Sequence, residues 1–306
     1  MVQTIMSILE VYESIIREND TEAFKKLWRV GEVGGRRGGW RDFYRVWMQV
    51  KKYPTLWKDH YTKPITKQHR ISVCTVAMNR VKDIMQTLPL NIEDSKNYPV
   101  EFILLDYGSK DGLKEWIKEN MMEHIELGLL KFYSLVNKVK YFSHTHSRNL
   151  AFKLATGDVI TNFDADNYMK DGFLETINIV ANHIPKKMVV VKSGRTHGNV
   201  SFYKDDFFKL GGYNEELKGR APVAYHLQLR ALESGFTLGY YKRKRGKVDN
   251  GYEITANFES EDYGQVNNEN TFRIYMNIMQ GKLVANKGRY YGKGVVIENF
   301  NREIVL

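Results

Sequence analysis

The sequence has little cysteine and little proline, and it contains no long apolar run. The single thiol, Cys74, has no partner within the chain, so a disulfide framework is excluded and a reducing, cytoplasmic location is expected. Six prolines in 306 residues argue against long disordered linkers. No apolar stretch approaches the roughly 18 residues that a membrane span needs. Acidic residues also interrupt the apolar pattern of residues 1–20, so neither a transmembrane anchor nor a signal peptide is expected.

Two glycine motifs of nucleotide-binding proteins are missing as well. From Ile71 onward, strand-like apolar runs alternate with amphipathic helical segments, which predicts an α/β fold with a mostly parallel sheet and right-handed crossovers. No GxGxxG follows the first of these strands, and no GxxxxGK[ST] occurs. The dinucleotide-binding and P-loop forms of an α/β fold are therefore not supported.

The pattern divides the chain into three regions. Residues 1–66 are predicted to form aromatic-rich amphipathic helices, interrupted by the glycine-rich stretch GEVGGRRGGW. That stretch is either a solvated turn or a backbone nest that binds phosphate with two arginines. Residues 67–240 carry the strand–helix alternation, and residues 241–306 begin with a strongly basic loop.

The stretch GDVITNFDADN, residues 157–167, places two carboxylates directly after a buried strand. Burying Asp164 and Asp166 there costs several kcal/mol unless a positive group neutralises them. Ligands of open α/β sheets bind beyond the carboxyl ends of the strands, and two more strand ends, at residues 75–80 and 106–111, carry polar side chains. A diphosphate held with Mn²⁺ or Mg²⁺ suits such hard oxygen ligands.

Five stretches in a consistent order resemble family-2-type glycosyltransferases of the GT-A fold, over roughly residues 69–240. They are ISVCTVAMNR, VEFILLDYGSKDG, HSRNLAFKLATGDVITNFDAD, FFKLGGYNEELKG and LQLRALESGF. The third is long and specific, whereas an Asp-x-Asp alone is a weak signal because many surface loops contain one. The resemblance implies a Rossmann-like GT-A core, a nucleotide-sugar donor that is most often UDP-linked, and a bound Mn²⁺ or Mg²⁺.

The resemblance also assigns roles to residues on the donor side, the first three at the nucleotide end of the pocket: Thr75, Asn79, Arg80, Asp106, Tyr107, Arg148, Asp164, Ala165 and Asp166. Asp106 would accept a hydrogen bond from the base, and Arg148 would lie near the nucleotide and its phosphates. Asp164 would face the ribose, and Asp166 would bind the metal, with Asp164 as a second candidate ligand. Two structural alternatives stay open, because Asp106 could cap its own turn and Arg148 could be a helix-surface charge.

Two departures from the family pattern affect these predictions. Tyr107 stands where a second aspartate is usual, and its ring would stack on a base instead. Val223 and Ala224 occupy the place of a Glu-Asp pair whose aspartate is the general base of inverting enzymes. We therefore predict His226, together with Asp166, as catalytic; His226 is a candidate base or metal ligand, or an ordinary helix-start histidine. The alternatives are a retaining reaction, a catalytically weak chain, or a base from the acidic run at residues 259–262. That run could equally be a group of charged side chains exposed to solvent.

The net charge of +10 belongs either to an ordinary soluble basic protein or to one that binds polyanions. Basic and aromatic residues interleave outside the predicted donor core, which favours an acceptor that carries phosphates. The preferred acceptor is a hydroxymethylated base extruded from duplex DNA. A cell-surface glycan or lipid-linked acceptor at an anionic membrane is one alternative, and a non-catalytic binding module is another. The predicted acceptor contacts are Gly211, Gly212, Tyr213, Lys242, Arg243, Lys244 and Arg245.

Overall fold

A computed structural model of the chain describes residues 53–57, 64–169, 172–192, 198–219, 222–241, 248, 257–258 and 263–306. The helices predicted within residues 1–52 and the basic loop at residues 242–247 lie outside these ranges. The strands are β1 (Thr55–Trp57), β2 (Ile71–Ala77), β3 (Val100–Asp106), β4 (Leu130–Leu135), β5 (Val159–Asn162), β6 (Met188–Lys192), β7 (Val200–Tyr203), β8 (Thr237–Tyr241), β9 (Val295–Glu298) and β10 (Arg302–Val305). The helices are α1 (Val81–Glu93), α2 (Leu113–Asn120), α3 (Met122–Glu126), α4 (His144–Leu154), α5 (Phe173–His183), α6 (Lys204–Lys209), α7 (Val223–Glu233) and α8 (Tyr263–Met279).

The strands of the described residues form one sheet in the order β1-β8-β6-β7-β5-β2-β3-β4-β9-β10. Its centre is parallel, as the strand–helix alternation predicts: β2 pairs with β3 and β5, and β3 pairs with β4. The register places Ala77 opposite Asp106 and Cys74 opposite Asn162. The carboxyl ends of β2, β3 and β5 therefore meet at one edge of the sheet.

Antiparallel strands flank this parallel centre. Strand β7 lies antiparallel to both β5 and β6, and β9 lies antiparallel to β4 and β10. Strands β1 and β6 both run parallel to β8. The Rossmann-like parallel core thus extends on both sides into a mixed sheet.

Apolar side chains fill both faces of the sheet because successive residues of a strand point to opposite sides. Along β3, Ile103 and Leu105 face the core that α4, α7 and α8 cover, whereas Phe102 and Leu104 face the core of α1, α2 and α5. Coverage on both faces explains why β2 and β3 read as nearly continuous apolar runs. None of the described helices combines the length and apolar character that crossing a membrane requires.

Segments on both sides of the predicted core, before residue 67 and after residue 240, contribute strands to the same sheet, which the sequence pattern did not indicate. Residues 55–57, within the region predicted to be helical, form β1. The carbonyl of Pro54, just before this strand, accepts a hydrogen bond from Leu238 N at 2.9 Å. At the other edge, β9 and β10 come from the predicted C-terminal extension. Pairing with the edge of the sheet gives the backbone N–H and C=O groups of these short segments hydrogen-bond partners that a helix would otherwise have to supply locally.

A buried carboxylate holds the amino edge of the sheet, opposite the strand ends described above. Glu101 has no exposed surface, and it accepts hydrogen bonds from Ser72 Oγ (2.5 Å), Lys131 Nζ (2.9 Å) and Thr156 N (2.6 Å). Burial alone would raise the pKa of Glu101, but these hydrogen bonds outweigh it and lower the pKa to about 2. The amino edge therefore has a fully buried structural carboxylate, whereas Asp164 and Asp166 at the carboxyl edge are partly exposed.

Candidate functional site

The first aspartate that follows β5, Asp164, is paired with an arginine from α4. Arg148 Nη2 donates to Asp164 Oδ1 at 3.1 Å, and only 7% of the Arg148 side chain is exposed, against 40% for Asp164. The helix begins at a Ser143 cap, whose Oγ accepts from His146 N, and buries the side of α4 that carries Arg148. Arg148 therefore faces the strand ends, and the alternative of a helix-surface charge is wrong.

Three further contacts fix the position of Asp164. Asn162 Nδ2 donates to Asp164 Oδ1 at 3.1 Å, and Asn199 Oδ1 accepts from Asp164 N at 3.3 Å. Gly198 passes so close that a Cβ there would lie 2.6 Å from Asp164 Oδ2. Sequence reasoning missed Gly198 and Asn199 because they belong to the approach to β7, an antiparallel strand that no motif marks.

The second aspartate lies in a tight turn that packs on α1. Asn167 N donates to Asp164 O at 3.0 Å, and Thr87 Oγ1 donates to Ala165 O at 2.7 Å. Asp166 is partly exposed at this turn, and its own carbonyl accepts from Val248 N at 2.9 Å. Both carboxylates thus stand at the carboxyl edge of the sheet.

The carboxylate oxygens at this edge are suitable ligands for a cation that also binds a diphosphate. Within the described ranges, no three side chains of His, Cys, Asp or Glu converge as a ready metal cage. Mg²⁺ and Mn²⁺ usually take one or two protein carboxylates and complete their shell with phosphate oxygens and water. Asp166, with Asp164 already paired to Arg148, provides that limited set of hard ligands.

The side chains predicted at the nucleotide end mostly hold the pocket wall together. Thr75 Oγ1 donates to Phe163 O at 2.9 Å, and Arg80 Nη1 lies 3.3 Å from Asp83 Oδ2. Asn79 adopts a left-handed backbone (φ 56°), and its Oδ1 accepts from Lys110 N at 2.8 Å while its Nδ2 donates to Asn257 Oδ1 at 2.9 Å. These residues lie at the expected strand ends, but their side chains already have protein partners.

Asp106 caps the turn that follows β3. Its Oδ1 accepts from Ser109 N at 2.8 Å, and the carboxyl group is buried. Burial raises the pKa of Asp106, although the hydrogen bonds from Ser109 oppose the shift. The turn-capping alternative is thus present in the structure, and it places the second carboxylate oxygen at the same edge as Asp164.

Tyr107 does not offer a face to a nucleobase, which corrects the stacking prediction. The residue is 3% exposed, and its ring meets those of Phe142 and His146 edge-on. Its hydroxyl lies 2.7 Å from His146 Nδ1, and His146 Nε2 lies 2.8 Å from Lys293 O. Because a carbonyl only accepts, Nε2 of the neutral ring carries the proton and Nδ1 accepts from Tyr107. Burial, reinforced by the charge of Glu215, raises the pKa of Tyr107 to about 12.

The Gly-Gly-Tyr turn predicted to contact the acceptor is buried, so its residues serve as structure. Gly211 and Gly212 have positive φ (72° and 67°), and a Cβ on Gly211 would lie 2.0 Å from Ala285 O. Tyr213 has no exposed surface. The glycines are required by backbone conformation and close packing, not by a ligand.

Two side chains that sequence reasoning did not single out clamp this turn. Asn149 Oδ1 accepts from Tyr213 N at 2.8 Å, and its Nδ2 donates to Tyr213 O at 2.9 Å. The buried guanidinium of Arg230 donates to the carbonyls of Leu210 and Gly212, each at 2.5 Å, and burial lowers its pKa to about 9. Both lie inside the family-like stretches HSRNLA and LQLR, which was the available signal.

His226 lies in the interior, which argues against its predicted role as base or metal ligand. It is 1% exposed, and within the described residues neither ring nitrogen has a hydrogen-bond partner. Burial, and then the charge of Arg230, lowers its pKa well below the usual 6.5. Val223 and Ala224 beside it are buried as well. A general base must reach the proton it removes, so the ordinary helix-start histidine is the better description.

The remaining predicted contacts fall outside the described residues. These are Lys242, Arg243, Lys244 and Arg245, together with the acidic run at residues 259–262. The geometry of the candidate site therefore rests on the ends of β2, β3 and β5 and on α4.

The sequence matches one family model, described as glycosyl transferase family 2, over residues 72–230. The match covers just over half of the 306 residues and includes every strand end described above. This chain belongs to glycosyl transferase family 2. No curated protein sequence matches it significantly.

Solved structures of other glycosyltransferases resemble this member of the family. The mannosyltransferase PcManGT from Pyrobaculum calidifontis, in complex with GDP-Man and Mn²⁺, has a TM-score of 0.52 at 17% identity, covering 63% of this chain and 64% of its own. TarS residues 1–349 from S. aureus, in complex with UDP-GlcNAc, has a TM-score of 0.45 at 16% identity, covering 58% and 60%. The chain thus spans less than two thirds of the length of either structure. The first likeness supports the GT-A fold.

Proposed function

We propose that this chain transfers a sugar from a nucleotide-sugar donor, with UDP as the preferred nucleotide, to an acceptor hydroxyl. The observation that carries the proposal is the Asp164–Arg148 pair beside Asp166, at the carboxyl edge of the sheet. These residues lie within the part of the chain that matches glycosyl transferase family 2. The complex of PcManGT with GDP-Man and Mn²⁺ supports this class of donor and metal for a related fold.

The side chains at this edge have distinct proposed roles. Asp166 holds Mn²⁺ or Mg²⁺, which when bound offsets the charge of the departing diphosphate. Asp164, oriented by Arg148, addresses the ribose and is the second candidate metal ligand. Asp106 faces the base from its turn, and Ala165 provides backbone at the ribose.

The proposed roles of three other donor-side residues are indirect. Thr75 and Asn79 shape the pocket through the hydrogen bonds that they make to neighbouring loops. Arg80 is held by Asp83 at the first turn of α1. Each would orient the donor by fixing the wall of the pocket.

The stereochemistry of the reaction follows from which base is used. The buried Val223, Ala224 and His226 place no proton acceptor at the usual position of an inverting enzyme. We therefore favour either a retaining reaction or a base from the acidic run at residues 259–262. The anomeric configuration of the product, read by NMR, separates these two mechanisms.

The proposed acceptor is a polyanion, with a hydroxymethylated base in duplex DNA as the first to test. The net charge of +10 supports this choice, because an acceptor without charge has no use for a basic surface. A glycan or lipid-linked acceptor is the second candidate. A non-catalytic module is distinguished by donor hydrolysis with and without EDTA, since a module shows no metal-dependent turnover.

The experiment that tests the donor site is Asp166→Ala, assayed by calorimetry with UDP or GDP and Mn²⁺. We expect metal-dependent binding to be lost while the melting temperature changes little, because the side chain removed is a partly exposed carboxylate and not an apolar core residue. Asp205→Ala removes an exposed carboxylate on α6 and should bind as the wild type does. Unchanged affinity in Asp166→Ala would contradict the assignment.

A further inference from the structure

The segment between α8 and β9, residues 280–294, exposes cations and an aromatic ring without any acidic residue. Its sequence, QGKLVANKGRYYGKG, contains three lysines and one arginine. Arg289 pairs with Glu216 at 2.6 Å, whereas Lys282, Lys287 and Lys293 are exposed and unpaired within the described residues. The segment therefore carries three exposed lysines that make no ion pair within the described residues, while Glu216 takes the charge of Arg289.

Several hydrogen bonds hold this segment rigidly against the Gly-Gly-Tyr turn. Asn286 Nδ2 donates to Gly211 O at 2.8 Å and to Tyr213 O at 2.7 Å, and Ala285 N donates to Leu210 O at 3.0 Å. Further along, Gly292 N donates to Glu215 Oε1 at 2.8 Å. A backbone fixed at both ends presents its exposed side chains at low conformational cost.

The exposed ring of this segment is Tyr290. It is 87% exposed, the largest value among the exposed large apolar side chains of the described residues, and Lys293 Nζ lies 4.3 Å from its ring centre. A single exposed aromatic residue is ordinary by itself. Next to unpaired lysines on an anchored backbone, however, a ring with one face against a cation and the other toward solvent suits stacking on a planar ligand.

One end of the segment is linked to the candidate donor site through Lys293. His146 donates to Lys293 O and accepts from Tyr107, which directly follows the end of β3. Two hydrogen bonds thus separate the segment from the edge where Asp106 lies. Sugar transfer requires the acceptor hydroxyl to be next to the donor sugar, so a surface joined at one end to the donor edge can hold an acceptor that reaches that edge.

We infer that the exposed face of residues 280–294 binds a nucleic-acid acceptor, with the lysines on phosphates and Tyr290 stacked on a base. The inference rests on the proposed function and adds the surface that takes the acceptor. A neutral glycan offers no charge for three unpaired lysines, whereas a phosphodiester backbone does. Extrusion of a target base leaves an unstacked neighbour for which an exposed ring is a partner.

The test is fluorescence anisotropy with a labelled oligonucleotide of about 16 nucleotides, single-stranded and as a duplex, at about 50 mM salt and above. Tyr290→Ala should weaken single-strand binding by about 5- to 150-fold, since stacking on one base has that value. Tyr290→Phe should retain the wild-type affinity because stacking needs the ring and not the hydroxyl.

The charge contribution is tested by the double change Lys287→Ala and Lys293→Ala. It should flatten the log–log salt slope on single strands by roughly 1.4, about 0.7 for each lost phosphate contact. Lys118→Ala removes an exposed lysine on α2 and should leave the slope unchanged. An equal effect of Lys118→Ala would overturn the inference, because the affinity would then be due to net charge alone.

A donor-binding control separates this inference from the proposed function. The thermal shift with UDP and Mn²⁺ should be the same in the wild type and in all of these variants. If the wild type shows that shift but binds neither oligonucleotide at about 50 mM salt, the nucleic-acid surface is refuted and the donor site stands. If binding to phosphatidylserine vesicles depends on Tyr290 and the lysines but oligonucleotide binding does not, the surface is a membrane contact and the inference is also refuted.

Discussion

Gly198→Ala would displace the carboxylate that we place at the donor without disturbing the core. Gly198 does not have the positive φ that excludes side chains, so the backbone itself accepts alanine. The new Cβ would lie 2.6 Å from Asp164 Oδ2, whereas ordinary contacts begin at 3.4 Å. The carboxylate would have to retreat by about 0.8 Å, the difference between these distances.

The carboxylate has little freedom to retreat. Its other oxygen accepts from Arg148 Nη2 and Asn162 Nδ2, both at 3.1 Å, so a shift of that size would stretch one of these bonds beyond hydrogen-bonding distance. A misplacement of about 1 Å in a reacting constellation costs up to roughly 10²-fold in rate. We therefore expect kcat/KM of Gly198→Ala to fall by about 10- to 100-fold.

Calorimetry with UDP and Mn²⁺, turnover and thermal melting together check this expectation. Donor affinity and turnover should fall while the melting temperature changes little. Gly157→Ala is the matched control, because its Cβ would meet Arg70 O and Ser72 Oγ at 2.7 Å, at the amino edge. That variant should lose about 1–3 kcal/mol of stability. Wild-type donor affinity and turnover in Gly198→Ala would refute the placement of Asp164 at the donor.

Two further predictions concern buried titratable groups. Glu101→Gln should lower the free energy of unfolding by about 3 kcal/mol at pH 7, as the shift of the Glu101 pKa from 4.5 to about 2 implies, and the loss should shrink as pH falls from 4.5 toward 2. Urea denaturation followed by circular dichroism measures this, and a loss that does not change with pH would contradict it. His226→Leu should keep turnover and should be increasingly more stable than the wild type below pH 6.5, because the unfolded chain binds a proton that buried His226 does not. The advantage should grow by about 1.4 kcal/mol per pH unit, and a turnover loss of about 10²-fold would instead restore His226 as the base.

The central elements could be predicted from local sequence because each is covered on both faces. Residues 71–77 and 100–106 form apolar runs that end in polar residues, and the structure confirms strands there. The order of the family-like stretches also predicted the GT-A fold, which the family match confirms. Strand β1 was missed because three residues carry too little periodicity, and only the free edge of β8 makes them a strand.

The roles of several side chains could not be predicted because burial depends on residues far along the chain. Tyr107 was expected to stack on a base, but its ring is buried and its hydroxyl is hydrogen-bonded to His146, 39 residues later. The Gly-Gly-Tyr turn was expected to face an acceptor, but Asn149 and Arg230 clamp it from both sides. No local pattern contains these partners.

The sequence by itself determined that this chain is an α/β protein of the glycosyltransferase type, with carboxylates after the strand of residues 159–162. Hydrophobic periodicity and short motifs depend only on residues that are close in sequence, so they can be recognised without the structure. Only the tertiary structure decided that Arg148 neutralises Asp164, that His226 is internal, and that Lys293 is linked to the end of β3 through His146 and Tyr107. Those outcomes depend on which distant surfaces pack together, because packing sets the solvent access and the charge around each side chain.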